Sequence, residues 1–439
     1  MTIKRDTMNN RLRPRKRRRN GYLYIAVMFT SLIVAGAIAT AFSIHTSRLR
    51  TASGEGDRRA ALRLGESSLA VVSEILSQTP QWRDEFDAGE VNGWVDAESL
   101  SGRPNSFAAM VLNDADGDLD DDSFDEVDVV AFVTLGHARA AVGAKLIPAG
   151  EPLSWLRYGI TVMDDLRLEH ATLMSEREVQ VGDNCWTSTN GMIVSPRLHC
   201  DGYIGVSTVG GSTADDIAVV DHDIVQRCED LGTEIPMSSL PIHNSDRAIY
   251  GAVISASENS FGEVNPQGIY WIDANGSDLT ITQSRIEGTL VVRDADQILV
   301  TGGICWESPG ALLVTDSPVR FYDVNPILDE SVVGANFNPP STPYRGFDQN
   351  TVVGDQFPTS LRGIVYSSDD IDCFPRTDGS PLAITGAVIC DRLSLWGDLS
   401  IQSYDEVIEN VPPGFVDPTR LMIQPGSFYR TEFSIDPPN

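Results

Sequence analysis

Apolar and polar positions change rhythm three times along the chain, and each rhythm predicts a different element. From Gly21 to Ile44 there are 24 consecutive residues without a charged side chain. As a helix this run is about 36 Å long, enough to cross a hydrocarbon core of roughly 30 Å with some tilt. Beyond it, Leu62, Gly65/Glu66, Leu69, Val72 and Leu76 recur at spacings of three and four. That spacing predicts one apolar stripe on a continuing helix, with Gly54 and Gly56 as points of interruption and Pro80 as its end.

Residues 86–170 read as short strands. Phe107–Leu112, Val127–Leu135 and Ala138–Ile147 are apolar or alternating, and Gly136, Pro148 and Gly150 punctuate them. A stalk helix followed by a small antiparallel sheet makes an α+β unit. From about 180 to 415 the pattern becomes apolar–x–Gly–x–apolar–x. It occurs at Ile249–Ile254, Ile286–Val291, Val300–Cys305, Leu361–Tyr366, Ile384–Ile389 and Leu395–Ser400. Two short β segments hinged at a glycine suit stacked coils that share one apolar interior. The expectation is a parallel β-helix with long excursions, such as the Pro/Asn-rich 336–350. A β-sandwich with glycine turns is the alternative.

The fold class is therefore mainly β with an N-terminal α-helix. The segments are a basic leader at 1–21, a membrane and stalk helix at 22–80, the small α+β unit at 86–170, a β-helix-like domain at 180–415 and a C-terminal tail at 416–439.

Charge sharpens this picture. The chain of 439 residues carries a net charge of −29. Residues 1–20 alone hold nine Lys and Arg side chains against the single acid Asp6. The acidic remainder offers no basic excess to neutralise phosphates, which argues against a nucleic-acid partner. Next to an uncharged helix, the basic cluster reads as a cytoplasmic flank. Tyr22 and Tyr24 then lie at the membrane interface, and the body lies outside the cytoplasm. The apolar run exceeds the 7–15 residues or so of a cleaved secretory signal, so a retained single-pass anchor is expected.

Six cysteines, Cys185, Cys200, Cys228, Cys305, Cys373 and Cys390, all follow the anchor. In an oxidising compartment they permit three disulfides, and Cys185 with Cys200 and Cys373 with Cys390 are the nearest pairs in sequence. They lack metal-binding spacing, so a structural role or simple burial is expected.

The densest candidate chemistry is the acidic stretch from Asp114 to Glu126. Counted as a calcium loop, Asp114, Asp116, Asp118, Asp122 and Asp125 fall at positions 1, 3, 5, 9 and 12. Leu119 stands where that loop wants glycine, and Asp125 is shorter than the usual bidentate Glu. A solvated acidic turn is the competing reading, so calcium is the one cofactor that comes into question. Nucleophile elbows, zincin motifs and nucleotide loops are absent from the sequence. Asp221-His222-Asp223 reads as a surface turn. Asp369, Asp370 and Asp372 follow one hinged repeat, where polysaccharide-cleaving enzymes place paired carboxylates. Asn275-Gly276-Ser277 fits a glycosylation sequon but reads better as a tight turn.

The leader RPRKRRRNG, the uncharged helix and the continuation RRAALRLGESSLAVVSEIL together resemble the N-terminal region of pilin-like proteins. The likeness is to PilX-type and K-type minor pseudopilins of bacterial type IV pilus and type II secretion systems, and it covers roughly residues 13–80. It implies that a prepilin peptidase cuts after Gly21 and leaves Tyr22 as the new N-terminus. Major pilins carry Glu five residues into the mature chain, where this chain has Ala26; K-type pseudopilins lack it too. The resemblance thus implies a minor, tip or initiating component held in the inner membrane, with pilin-like or secretion-apparatus subunits as partners. A structural, non-enzymatic display role for contact or adhesion is the expected function. A membrane-anchored polysaccharide-binding or polysaccharide-cleaving β-helix is the alternative.

Overall fold

The structure is a computed structural model that describes residues 20–79, 82–93, 95–104, 106–120, 122–213 and 224–432. The basic residues 4–19, Pro80 and Asp221-His222-Asp223 lie outside the described residues.

One helix runs unbroken from Asn20 to Gln78. Gly54 and Gly56 do not interrupt it, because a glycine costs a helix only about 1 kcal/mol and nothing crowds either position. Leu64, Leu69, Val72 and Leu76 are buried along one stripe, together with Ala61 and Ser68. They pack on an antiparallel meander of Ser106–Asn113, Val127–Leu135 and Ala138–Pro148. Each buried leucine stabilises that docking by about 2 kcal/mol. Gly65 lets the helix come close, since a Cβ there would lie 3.0 Å from the Val142 Cγ2.

The segment expected to be a C-terminal tail completes this sheet. Leu421–Ile423 and Tyr429–Thr431 both pair antiparallel with Ala138–Pro148. Everything between is an insertion into the small α+β unit. The two strands of chain that join them lie side by side: Leu153 N donates to Phe415 O at 2.8 Å, and Asp417 N donates to Glu151 O at 2.8 Å.

The insertion is a solenoid of parallel strands, as expected, but it starts earlier than the pattern at 180 implies. Ile160–Val162 and Leu166–Glu169 already belong to it, pairing parallel with Val179–Val181 and Cys185–Thr189. Coils stack outward from there through Leu198–Cys200 to Ser212–Thr213. The chain resumes at the far end of the stack, where Asp246–Tyr250 pairs with Ile269–Glu287. It then winds back through Thr289–Thr315, Ser360–Ser367 and Leu382–Cys390. The last coil meets the first: Val388 pairs with Ile160, Leu393 with Leu166 and Leu399 with Leu173. The chain therefore enters and leaves at the middle of the stack. All coils share one interior of Leu, Ile and Val side chains, in the manner of a parallel β-helix.

The hinge glycines sit at the corners. Gly386 has φ +151°, and a Cβ there would lie 2.0 Å from the Gly363 carbonyl oxygen of the next coil. Only glycine fits that corner. The Pro/Asn-rich excursion leaves the solenoid between the antiparallel pair Ile327–Asp329 and Gln356–Pro358. Two charges without solvent exposure hold its base. Arg285 Nη1 donates to Phe337 O and Thr342 O at 2.6 and 2.7 Å. Glu330 accepts from the backbone N–H groups of Phe337, Gly354 and Asp355 at 2.6, 2.9 and 2.9 Å.

Candidate functional site

Three surfaces carry the chemistry foreseen in the sequence. The first is the N-terminal half of the long helix. Asn20 and Gly21 open it, and Tyr22, with 87% of its surface exposed, follows. From Tyr22 to Gly56 every side chain is exposed, including Leu23, Ile25, Phe29, Leu32, Ile33 and Phe42. This is one helix long and apolar enough to cross a membrane by length and composition. Thr30, Thr40 and Thr46 turn their hydroxyls onto carbonyls four residues back, so they do not need water.

The second surface is the acidic turn. Only three of the five aspartates expected around a calcium ion converge: the carboxylates of Asp114, Asp116 and Asp125 lie within 4.8 Å of one another. The turn is shaped by its own side chains, with Gly117 N donating to Asp114 Oδ1 at 2.7 Å and Asp118 N to Asp116 Oδ1 at 3.2 Å. Arg83 braces it from below through the carbonyls of Leu119 and Asp125, at 3.0 and 2.8 Å. Asp114 Oδ2 is buried and accepts no hydrogen bond. Asp122 is drawn elsewhere, into an ion pair with Arg227 of the solenoid. Arg227 also lies over the Phe124 ring, 4.4 Å from its centroid, and joins the small unit to the solenoid. Burial lowers the Arg227 pKa, against the opposing pull of Asp230. No sequence signal marked Arg227.

The third surface is the exterior of the solenoid. Its coils place aspartates at one repeated corner. Asp391 N donates to Asp369 O at 3.2 Å, Asp164 N to Asp391 O at 2.8 Å and Asp183 N to Asp164 O at 3.0 Å. Burial raises the carboxyl groups of Asp370 and Asp391 above the usual carboxylate range; Arg392 offsets this while neighbouring aspartates add to it. The candidate catalytic group is divided among cations: Asp370 faces Arg392 at 2.8 Å and Asp372 faces Arg320 at 3.3 Å. Beside it runs an aromatic ladder missed in the sequence. Phe374 stacks on Trp396 at 6.0 Å, Tyr322 meets Phe374 edge-on at 5.6 Å, and Arg167 lies 4.7 Å from the Trp186 centroid. These residues are far apart in the chain, and only the coil register aligns them.

A groove of about 610 Å³ follows another corner, lined by Gln267, Glu287, Glu307, Arg362 and Asn410 among others. Glu287 and Glu307 are register partners on adjacent coils. Glu287 pairs with Arg285, and Glu307 accepts from the Ser360 hydroxyl at 2.7 Å.

All six cysteines are free and buried. Burial pushes the Cys228 thiol up to about 12 and Cys305 to about 11, so both stay protonated and inert at neutral pH. Asn275 and Gly276 both have positive φ, +48° and +70°, at a bend inside the strand Ile269–Glu287, where its parallel pairing shifts register.

No protein-family description matches the chain, and no curated protein sequence is similar to it. Among solved structures, the chain is similar to the crystal structure of competence-associated pilin ComZ from Thermus thermophilus. The identity is 11% and the TM-score 0.23, over 85% of this chain and 97% of that one.

Proposed function

We propose that the protein is a minor, pilin-like subunit of a bacterial type IV pilus or type II secretion-like apparatus, displaying its β-helix outside the cytoplasm for contact or adhesion. The observation that carries this reading is the division of one helix into two halves. Ala61–Leu76 is docked on the meander, whereas every side chain of the uncharged stretch Tyr22–Ile44 is exposed. A helix apolar on every side needs a non-aqueous neighbour. In storage that neighbour is the bilayer of the inner membrane, crossed once; in an assembly it is the matching helices of pilin-like or secretion-apparatus subunits. The basic residues ahead of Gly21 keep the N-terminus cytoplasmic. Prepilin peptidase, cutting between Gly21 and Tyr22, releases the helix for assembly.

The role is structural rather than catalytic. Calcium at Asp114, Asp116 and Asp125 belongs to this reading as a brace for the turn that faces the solenoid, supported by the unpartnered Asp114 Oδ2. The second reading, a polysaccharide binder, is favoured by the groove beside Glu287 and Glu307, whose carboxylates can accept from sugar hydroxyls. The two readings separate in cells. A chain lacking 154–414 should still insert in the membrane but lose the surface phenotype, and unchanged surface behaviour rules out the display role. Glycan binding that is lost with Glu307→Gln, in a protein never cut at Gly21, favours the second.

A further inference from the structure

The small unit and the solenoid meet at a joint with two parts. The first is the stem of paired backbone, with Leu153 N donating to Phe415 O, Asp417 N to Glu151 O and Ala149 N to Arg420 O at 2.8, 2.8 and 2.6 Å. Outside the stem, one ion pair crosses between the two bodies among the described residues, from Arg227 of the solenoid to Asp122 of the acidic turn. Their apolar cores are separate clusters. Bodies joined without a large apolar interface move relative to each other by default, so the orientation of the solenoid rests on the second contact.

We propose that Arg227 is a latch, which holds the solenoid at one angle to the stalk helix and on release lets it pivot about the stem. The acidic turn is shaped to receive it. Asp122 Oδ1 accepts from Phe124 N at 2.8 Å, which sets the carboxylate and the ring as two sides of one seat. The guanidinium fills that seat, paired with the carboxylate and 4.4 Å from the ring centroid. Arg83 holds the backbone on either side through Leu119 O and Asp125 O. On the solenoid side, Arg227 rides on the short helix Ile224–Asp230, whose Ile224 and Cys228 are buried. Cys228 Sγ donates to Pro413 O at 3.2 Å, so this helix is fixed to the solenoid beside the stem.

Charge gives the latch its two states. The cleft of about 610 Å³ beside the pair is lined by Asp120, Asp122, Asp230 and Asp316, with Arg227 and Arg293. Arg293 is taken by Glu229 of the same short helix. Arg227 is therefore the cation that offsets the carboxylates facing one another across the cleft. Without it, Asp230 faces Asp120 and Asp122 with like charge, and repulsion opens the joint. A part-exposed pair contributes little against unfolding, yet a small bias is enough to choose between two orientations of one folded chain. Because the latch sits beside the pivot and the stem enters the middle of the stack, a small opening swings both ends of the solenoid. The joint does not depend on the pilin-like reading, since a plain anchor would carry it as well.

The test uses the full chain in detergent with spin labels at two exposed positions, His137→Cys on the small unit and Val332→Cys on the solenoid's excursion. The six native cysteines are buried, which leaves labelling to the new pair. Dipolar spectroscopy should give the labelled parent one narrow distance. Arg227→Gln should broaden and shift that distance while the melting transition of the solenoid holds. Asp122→Asn keeps an oxygen for the Phe124 N–H and leaves the coils untouched, and it should broaden the distance equally. Both changes together should add nothing further, because they break one contact. Salt at about 1 M, where the screening length is about 3 Å, should move the parent toward the variants. A distance that stays narrow in either single variant, or a parent indifferent to salt, overturns the latch.

Discussion

Leu153 N donates to Phe415 O at 2.8 Å, and this backbone bond, beside that of Asp417 N to Glu151 O, closes a loop that contains the whole solenoid. Because the first and last coils stack on each other, the insertion needs no long linker to start and finish at one place. Among the described residues, the small unit's own core, from Ala61 to Leu146 and on to Leu421, holds no side chain from the coils.

The first prediction follows from that closure. Replacing residues 154–414 by a short Gly/Ser turn should leave the helix and meander folded. Hydrogen exchange should show Val129, Ala131 and Val133 protected as in the full chain. Loss of that protection would mean that the two parts fold only together.

A second prediction concerns the corners. Gly386→Ala forces a φ of +151° on a side chain and drives its Cβ toward the Gly363 oxygen. A cost of about 3 kcal/mol or more is expected, read as a lower denaturant midpoint of the solenoid. Gly354→Ala, where nothing lies within 4 Å, is the control and should change stability far less. Equal effects would show that the corner is not constrained.

The pH dependence of the aspartate corner gives a third. The Asp391 carboxyl is raised above the usual carboxylate range by burial and by Asp164. A raised carboxyl pKa means that the folded state holds more protons than the unfolded chain between the two values. The ionised group therefore weighs on the fold above its folded pKa, and that burden lifts as pH falls through it. Asp391→Asn should raise the melting temperature at neutral pH by a degree or two, discounted for its partial exposure. The gain should shrink as pH approaches about 4. A loss at neutral pH, or a gain indifferent to pH, would contradict this.

How much was legible in the sequence depended on how local each feature is. The uncharged run and the Leu69–Leu76 stripe are set by neighbours within one or two helical turns, and both reappear in the helix. Val127–Leu135 lies where its alternation placed it. The coils between Ile160 and Thr213 lack the hinged repeat because strands such as Val179–Val181 are only three residues long, too short to show a pattern on both sides of a glycine. The pairing of Val388 with Ile160 could not be read at all, since nothing local links the two ends of an insertion. At the acidic turn, spacing counted five ligands, but Arg227, 105 residues away, takes Asp122.

The central claim is that the exposed half-helix belongs to a pilin-like subunit. The N-terminus of the protein recovered from its native membrane tests it most directly. A mature chain beginning at Tyr22 is the predicted result, and it would mean prepilin-peptidase processing. A chain that still carries the Arg-rich segment ahead of Gly21 would contradict the claim and leave a plain signal anchor bearing a β-helix.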